Sequence, residues 1–285
     1  MILKSINYWS YPGGLEGSLP LERFFAQAAQ DGYEAVEVCI GEGGELGLDV
    51  SESRVRELVA LANAEELKIP SVASGLYWGY SLASADAADR KKAADSLARM
   101  LEISAWFGAK TLLTIPGAVD VFFLPDRAVQ SYDEVLKYAV EGLRAALPIA
   151  EKFKVRMGIE NVWNRFLLSP TEMAAFIDGF ESPWIGSYLD VANVLPFGYP
   201  EQWLRILGHR VVGIHFKDFR RAVGTAEGFV DLLEGDVNWP EVMDAINEIG
   251  YEGPIPAELI PLYKHHPEMR ARLTSLAMDA ILERQ

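Results

Sequence analysis

The sequence predicts an α/β fold, a closed (β/α)8 TIM barrel forming a single domain over residues 1–285. Three observations predict it. Short apolar segments alternate with longer amphipathic ones along the whole chain, and eight such pairs can be counted. Strands joined by helical crossovers must run parallel. Eight units in 285 residues suit a closed barrel better than an open sheet, and no G-x-G-x-x-G follows the first strand to suggest a dinucleotide site.

The eight strands are read at "LKSINY" (3–8), "YEAVEVCI" (33–40), "KIPSVAS" (68–74), "AKTLLTI" (109–115), "VRMGIEN" (155–161), "WIGSYLD" (184–190), "VVGIHF" (211–216) and "PIPAEL" (254–259). Most are rich in β-branched residues and too short for helices. "LERFFAQAAQ", "SESRVRELVALANAE" and "DRKKAADSLARMLEISAWF" instead carry apolar residues at spacings of three and four. Ser131 with Glu134, Ser169 with Glu172, and Asn238 with Glu241 have the spacing of capping boxes at helix starts. Gly32, Gly108, Gly208 and Gly250 stand where helices end and the next strand begins.

Composition narrows the function classes. Half the residues are hydrophobic, enough for a large core, and no uninterrupted apolar run is long enough to span a membrane. The N-terminal residues lack the pattern of a signal peptide, and Cys39 is the single cysteine. A cytoplasmic protein in a reducing compartment is expected. The formal net charge of −15 repels nucleic acid and anionic membranes, so neither is expected as a partner. A homo-oligomer stays open.

In such a barrel the chemistry lies at the C-terminal ends of the strands. Strand five ends in Glu160, strand six in Asp190, strand seven in His215 and strand eight in Glu258. A single acid at a strand end is usually a loop residue facing water, and a single histidine there is usually structural. Four on consecutive strands make coincidence the weaker explanation. Three carboxylates sharing a water-poor site repel one another, and desolvating each costs several kcal/mol. One divalent metal ion relieves both problems. Three oxygen donors and an imidazole suit Mn2+, Co2+ or Mg2+, and Zn2+ less comfortably.

"GIENVWNRF", "GSYLDVANVL", "VVGIHFKDF" and "EGDVNWPEVMDAINEIGYEGPIPAEL" resemble the signature segments of xylose-isomerase-like TIM-barrel proteins. Within that family they are similar to the sugar-phosphate isomerase/epimerase and ketose 3-epimerase branch. The resemblance implies one divalent metal held by Glu160, Asp190, His215 and Glu258. It also implies a sugar or sugar-phosphate substrate, and Glu160 and Glu258 as the acid/base pair. The expected reaction is 3-epimerisation of a ketose through an enediolate, or aldose–ketose isomerisation if the proton stays on one face.

Around these groups, Lys217 is a candidate to polarise a substrate oxygen or offset the carboxylates, and equally to form a salt bridge that positions the loop. Asn161, Asn164 and Arg165 follow Glu160 and are candidates for substrate contact or for support of Glu160. Tyr8, Trp9, Tyr77, Trp78, Phe122, Phe123 and Trp163 fall near the same rim, and about half are expected to line the pocket. His209, Cys39, Arg90 and "KHH" at 264–266 are read as structural or solvated.

Two positions depart from the free-ketose 3-epimerase pattern. Asn193 stands where a histidine is frequent, and Leu167 where a glutamate is. Asn193 is kept as a substrate-contact candidate. The "HFKD" form is nearer the sugar-phosphate branch, yet no glycine-rich phosphate cradle is found. Three rivals remain. A lyase or dehydratase would eliminate from the same intermediate. An endonuclease IV-like nuclease would need three zinc ions and more than four histidines. A non-enzymatic sugar- or metal-binding barrel would not need both glutamates.

Overall fold

A computed structural model of the chain describes residues 1–284. Its eight barrel strands are β1 (Ile2–Asn7), β2 (Ala35–Ile40), β3 (Lys68–Ser74), β4 (Thr111–Thr114), β5 (Arg156–Glu160), β6 (Ile185–Asp190), β7 (Val211–His215) and β10 (Gly253–Ala257). All pair in parallel, in the order β10-β1-β2-β3-β4-β5-β6-β7. The eight strands expected from the sequence are all present. A short antiparallel ribbon, β8 (Asp218–Phe219) with β9 (Phe229–Val230), is inserted after β7 and interrupts the strand–helix alternation.

The ring closes where β7 meets β10. The Phe216 amide donates to the Pro256 carbonyl at 2.9 Å, and the Glu258 amide donates to the Phe216 carbonyl at 3.1 Å. These bonds lie at the C-terminal end of both strands, so closing the barrel brings His215 and Glu258 side by side.

The outer helices are α1 (Leu21–Gln30), α2 (Glu52–Ala64), α3 (Ala87–Phe107), α4 (Tyr132–Phe153), α5 (Pro170–Asp178), the single turn α6 (Val191–Val194), α7 (Pro200–Leu207), α8 (Trp239–Glu248) and α9 (Met269–Ile281). Each applies an apolar stripe to the sheet. In α1 the stripe is Leu21, Phe24, Phe25 and Ala28; in α4 it is Val135, Ala139, Leu143, Ala146 and Ala150. Ser169 and Asn238 cap α5 and α8 as their spacing predicts, each accepting from the amide three residues on. Ser131 does not cap α4, because its hydroxyl turns to the Asp133 carboxylate instead. Gly32, Gly108, Gly208 and Gly250 all take positive φ (87°, 77°, 54° and 66°), which lets the chain leave a helix without a Cβ clash.

Under the C-terminal mouth, the barrel interior holds one large aromatic ring. Tyr188 is wholly buried on β6 and pairs in register with Glu160 on one side and Gly213 on the other. A Cβ at Gly158 would fall 2.9 Å from this ring, and one at Gly213 would fall 2.5 Å from it. Two glycines, each two residues before a strand-end polar group, thus make room for a tyrosine two residues before Asp190.

Candidate active site

Glu160, Asp190 and His215 end β5, β6 and β7, and Glu258 follows β10 by one residue. One donor atom from each lies within 4.8 Å of the others, and all four side chains are buried. His215 and Asp190 are held from behind by different devices.

His215 is fixed by Glu37, a wholly buried carboxylate on β2. Glu37 Oε1 lies 2.7 Å from His215 Nε2, and the same carboxylate accepts from Asn7 Nδ2 at 2.7 Å and from Tyr188 Oη at 2.5 Å. Burial opposes the charge on Glu37, but the imidazole beside it and these hydrogen bonds hold its pKa below the usual carboxylate range. An ionised Glu37 can only accept. Nε2 therefore carries the proton, and Nδ1 is turned into the site. Without a cation, burial alone would lower the histidine's pKa, yet Glu37, Glu160 and Glu258 together raise it well above its ordinary value.

Asp190 is held by backbone groups. Its Oδ1 accepts from the amides of Ala192 and Asn193, both at 2.9 Å, capping α6. Asn161 clamps the Asp190 peptide on both sides, Nδ2 donating to its carbonyl at 2.9 Å and Oδ1 accepting from its amide at 2.8 Å. Oδ2 is left pointing into the site.

Lys217 lies 3.1 Å from Asp190 Oδ2 and also pairs with Glu258. Burial would lower its pKa, but Asp190, Glu258 and Glu160 push it above the ordinary lysine value. The two central glutamates are driven apart. Burial, with the nearby Glu258 charge, pushes Glu160 up to about 7. Glu258 is equally buried, yet Lys217 and His215 bring it down to about 2.

Asp190 Oδ2, His215 Nδ1 and Glu258 Oε2 are buried and make no hydrogen bond of acceptable geometry. Nδ1 lies 3.5 Å from Glu258 Oε2 and 3.8 Å from Glu160 Oε1. Lys217 Nζ offsets the charge on Asp190 Oδ2 and Glu258 Oε2, whereas His215 Nδ1, with Nε2 carrying the proton, is left without a donor, which is costly for a buried acceptor. Donor atoms of four buried side chains gathered at one point fit a divalent cation, and Glu160, Asp190, His215 and Glu258 could hold it.

The donors open into a cavity of about 320 Å3 at the barrel mouth. Trp9, Trp78, Trp163, Asn193 and Lys217 line it with Glu160 and Glu258. So do Phe122, Phe123 and Phe229. Tyr8 and Tyr77 do not; both are buried, with hydroxyls donating to the carbonyls of Leu19 and Leu113.

Three expected substrate contacts lie elsewhere. Asn161 serves the Asp190 backbone. Asn164 donates to the Gly117 carbonyl at 2.8 Å and accepts from the Phe166 amide at 3.1 Å, tying the loop after β5 to the loop after β4. Arg165 points into solvent and pairs with Asp120 at 3.1 Å. Lys217 reaches the carboxylates rather than Asp218. Asp218 instead organises the inserted loop, accepting from the amides of Phe219, Leu233 and Val237 and from Trp239 Nε1.

Sequence reasoning missed Glu37 and Phe229. An acid inside the otherwise apolar "AVEVCI" was the available signal for the first. Phe229 sits on the inserted ribbon, which has no periodic signature.

The xylose isomerase-like TIM barrel family model matches residues 25–276. The chain belongs to that family. Among curated proteins it is similar to a putative L-ribulose-5-phosphate 3-epimerase, SgbU, of Escherichia coli (strain K12), with 25% identity over 78% of this chain and 77% of that protein. It is also similar to the L-ribulose-5-phosphate 3-epimerase UlaE of Escherichia coli O1:K1 / APEC, with 24% identity over 100% of this chain and 96% of that one. Among solved structures, a D-psicose 3-epimerase from Clostridium cellulolyticum H10 superposes with a TM-score of 0.80 at 15% identity, covering 99% of this chain and 98% of that one. No helix among the described residues is long and apolar enough to cross a membrane.

Proposed function

We propose that this family member is a divalent-metal-dependent sugar isomerase or epimerase whose reaction is a 3-epimerisation of a ketose, with Glu160 and Glu258 as the proton-transfer pair. The observation that carries the reading is the convergence of four buried donor groups, two of them glutamates that line the cavity floor, on one point at the barrel mouth. A divalent cation held by Glu160, Asp190, His215 and Glu258 would supply Lewis acidity at a substrate carbonyl and so lower the cost of removing the adjacent proton.

The protein's own groups provide the rest. Glu258, kept ionised by Lys217 and His215, is available to accept a proton, and Glu160, raised by burial to about 7, can pass a proton in either direction near neutral pH. Placed on the two faces of a bound sugar, one removes the C3 proton and the other returns a proton from the opposite side. Lys217 limits the charge repulsion between Asp190 and Glu258 throughout. Trp9, Trp78 and Trp163 exclude water from the intermediate and offer flat apolar faces to sugar C–H groups. The relatives named for 3-epimerisation support the same reading.

The test is solvent exchange. Manganese-loaded protein is incubated in D2O with L-ribulose, L-ribulose 5-phosphate, D-fructose, D-tagatose and D-psicose, and C3 is followed by NMR. Deuterium at C3 in a product of otherwise unchanged mass is the expected result. Loss of water would assign the lyase reading, and no exchange with any of the five, nor with 6-O-benzyl-D-fructose, would sink the proposal.

A further inference from the structure

The cavity has two surfaces of different character. Its floor carries Glu160, Asn193, Lys217 and Glu258; nearly all of the remaining lining is apolar. Lys217 is the only lysine or arginine in the lining, and it already serves Asp190 and Glu258. Three other cations on the nearby loops are engaged elsewhere. Arg165 pairs with Asp120, Arg90 donates to the Ser84 carbonyl and covers the Tyr138 ring, and Arg221 donates to the Gly198 carbonyl. The amides that begin α6 are taken by Asp190 Oδ1. The neighbouring hollow formed by the loops after β1 and β2 adds Glu16 and Glu42, of the wrong sign for an anion. Within the lining a phosphate dianion thus finds neither an arginine fork, nor a free ammonium, nor a helix N-terminus, and Arg127 and Lys264, on the loops after β4 and β10, do not line the cavity.

The wall offers something else. Trp78 meets Phe123 edge-on at 5.0 Å, Phe123 meets Phe122 at 5.2 Å, Phe122 meets Trp163 at 5.9 Å, and Trp163 meets Phe229 at 5.0 Å. This arc joins the loops after β3, β4 and β5 to the inserted ribbon. Its centre stays wet: Phe122 is 56% exposed and Phe123 44%, with Leu15 at 57% in the same lining. Large apolar side chains held in a fixed array and left in water at the mouth of a pocket mark a binding surface.

We infer that the substrate is an unphosphorylated sugar bearing an apolar, ring-sized substituent that lies across the Trp78–Phe123–Phe122–Trp163 arc. The inference rests on the proposed function for the placement of the sugar itself above the carboxylates. It departs from what the names of the ribulose-phosphate relatives suggest. The substituent would cover the exposed phenyl rings, and the sugar hydroxyls would face the polar floor.

Binding to the manganese-loaded full-length protein tests this without turnover. D-glucose, D-glucose 6-phosphate and phenyl β-D-glucopyranoside differ only in their decoration and are compared by quenching of tryptophan fluorescence. The phenyl glucoside is expected to bind at least about tenfold tighter than glucose, and the 6-phosphate no tighter than glucose. Phe122→Ala and Phe123→Ala, both at exposed positions, should each remove most of the phenyl advantage while circular dichroism stays unchanged. Tighter binding of the 6-phosphate, or no phenyl advantage, overturns the inference. Unchanged phenyl affinity in the two variants, with a smaller sedimenting species, would give the wall to a second copy of the chain and also overturn it. Because the solvent-exchange experiment reads C3 chemistry independently, the epimerase reading can survive any of these outcomes.

Discussion

The floor and the wall of the pocket come from different parts of the chain and are held in different ways. The floor is built at strand ends in the second half, by Glu160, Asp190, His215 and Glu258. Each group is buried, and His215 and Asp190 are each fixed through a second atom: Nε2 by Glu37, Oδ1 by two backbone amides. Most of the wall is built on loops of the first half, by Trp9, Trp78, Phe122 and Phe123, and the last two are largely exposed and held mainly by one another. Groups on strand ends are positioned by the barrel's hydrogen bonds, so they cannot shift without opening it. Rings on loops can be exchanged without disturbing the sheet. On the proposed function, the chemistry would lie in the rigid part and substrate choice in the replaceable part.

The sharpest way to break that comparison is at the floor. Glu258→Gln keeps the size of the side chain and removes its basicity and its negative charge. Solvent deuterium exchange at C3 should fall by about 10²–10⁴-fold, the usual contribution of a positioned acid or base, with further loss from weaker cation binding. Circular dichroism should match wild type. Exchange that persisted within a few-fold would move the chemistry off the floor altogether.

A smaller effect is expected one step behind it. Glu37→Gln leaves a hydrogen-bonding group opposite His215 Nε2 but removes the buried charge that fixes the imidazole tautomer. Manganese affinity, read by competition with a chelator, should fall by about 10–100-fold. Manganese should also raise the melting temperature of wild type, since a cation bound at 100 times its Kd adds about 2.7 kcal/mol, and should raise that of Glu37→Gln less. Equal affinities in the two proteins would show that the floor is not braced through β2.

Which of these features could be read in the sequence follows from what periodicity encodes. The eight strands were legible because buried parallel strands are short apolar runs between glycine and capping signals, and the four floor residues because the barrel fixes where strands end. Glu37 was not singled out: an acid inside an apolar strand can face either the interior or a neighbouring helix, and only the closed ring shows that it meets His215. Gly158 and Gly213 read as ordinary strand glycines until Tyr188 is seen to occupy the space they leave. Asn161 and Asn164 could be read either as substrate contacts or as supports of Glu160, and in the structure they hydrogen-bond backbone groups, since a side-chain amide matches a peptide group as well as a sugar hydroxyl. Spacing does not distinguish the two.

The last comparison sets two adjacent residues of one loop against each other. Arg165 makes a single solvent-exposed ion pair with Asp120, a kind of contact that contributes little in water. Arg165→Ala should change stability by no more than about 0.5 kcal/mol and leave binding and exchange alone. Asn164 is buried, and its amide joins the loop that carries Trp163 to the Gly117 carbonyl, at the start of the loop that carries Phe122 and Phe123. Asn164→Ala leaves that carbonyl and the Phe166 amide without partners and should cost about 1–3 kcal/mol in a urea titration. Because the two aromatic loops would then be joined less tightly, through the Val119 and Asp120 amides on the Asn164 carbonyl, it should also weaken phenyl β-D-glucopyranoside binding while leaving manganese affinity unchanged. If manganese affinity fell in parallel, wall and floor would be one cooperative unit and the division between them would not hold.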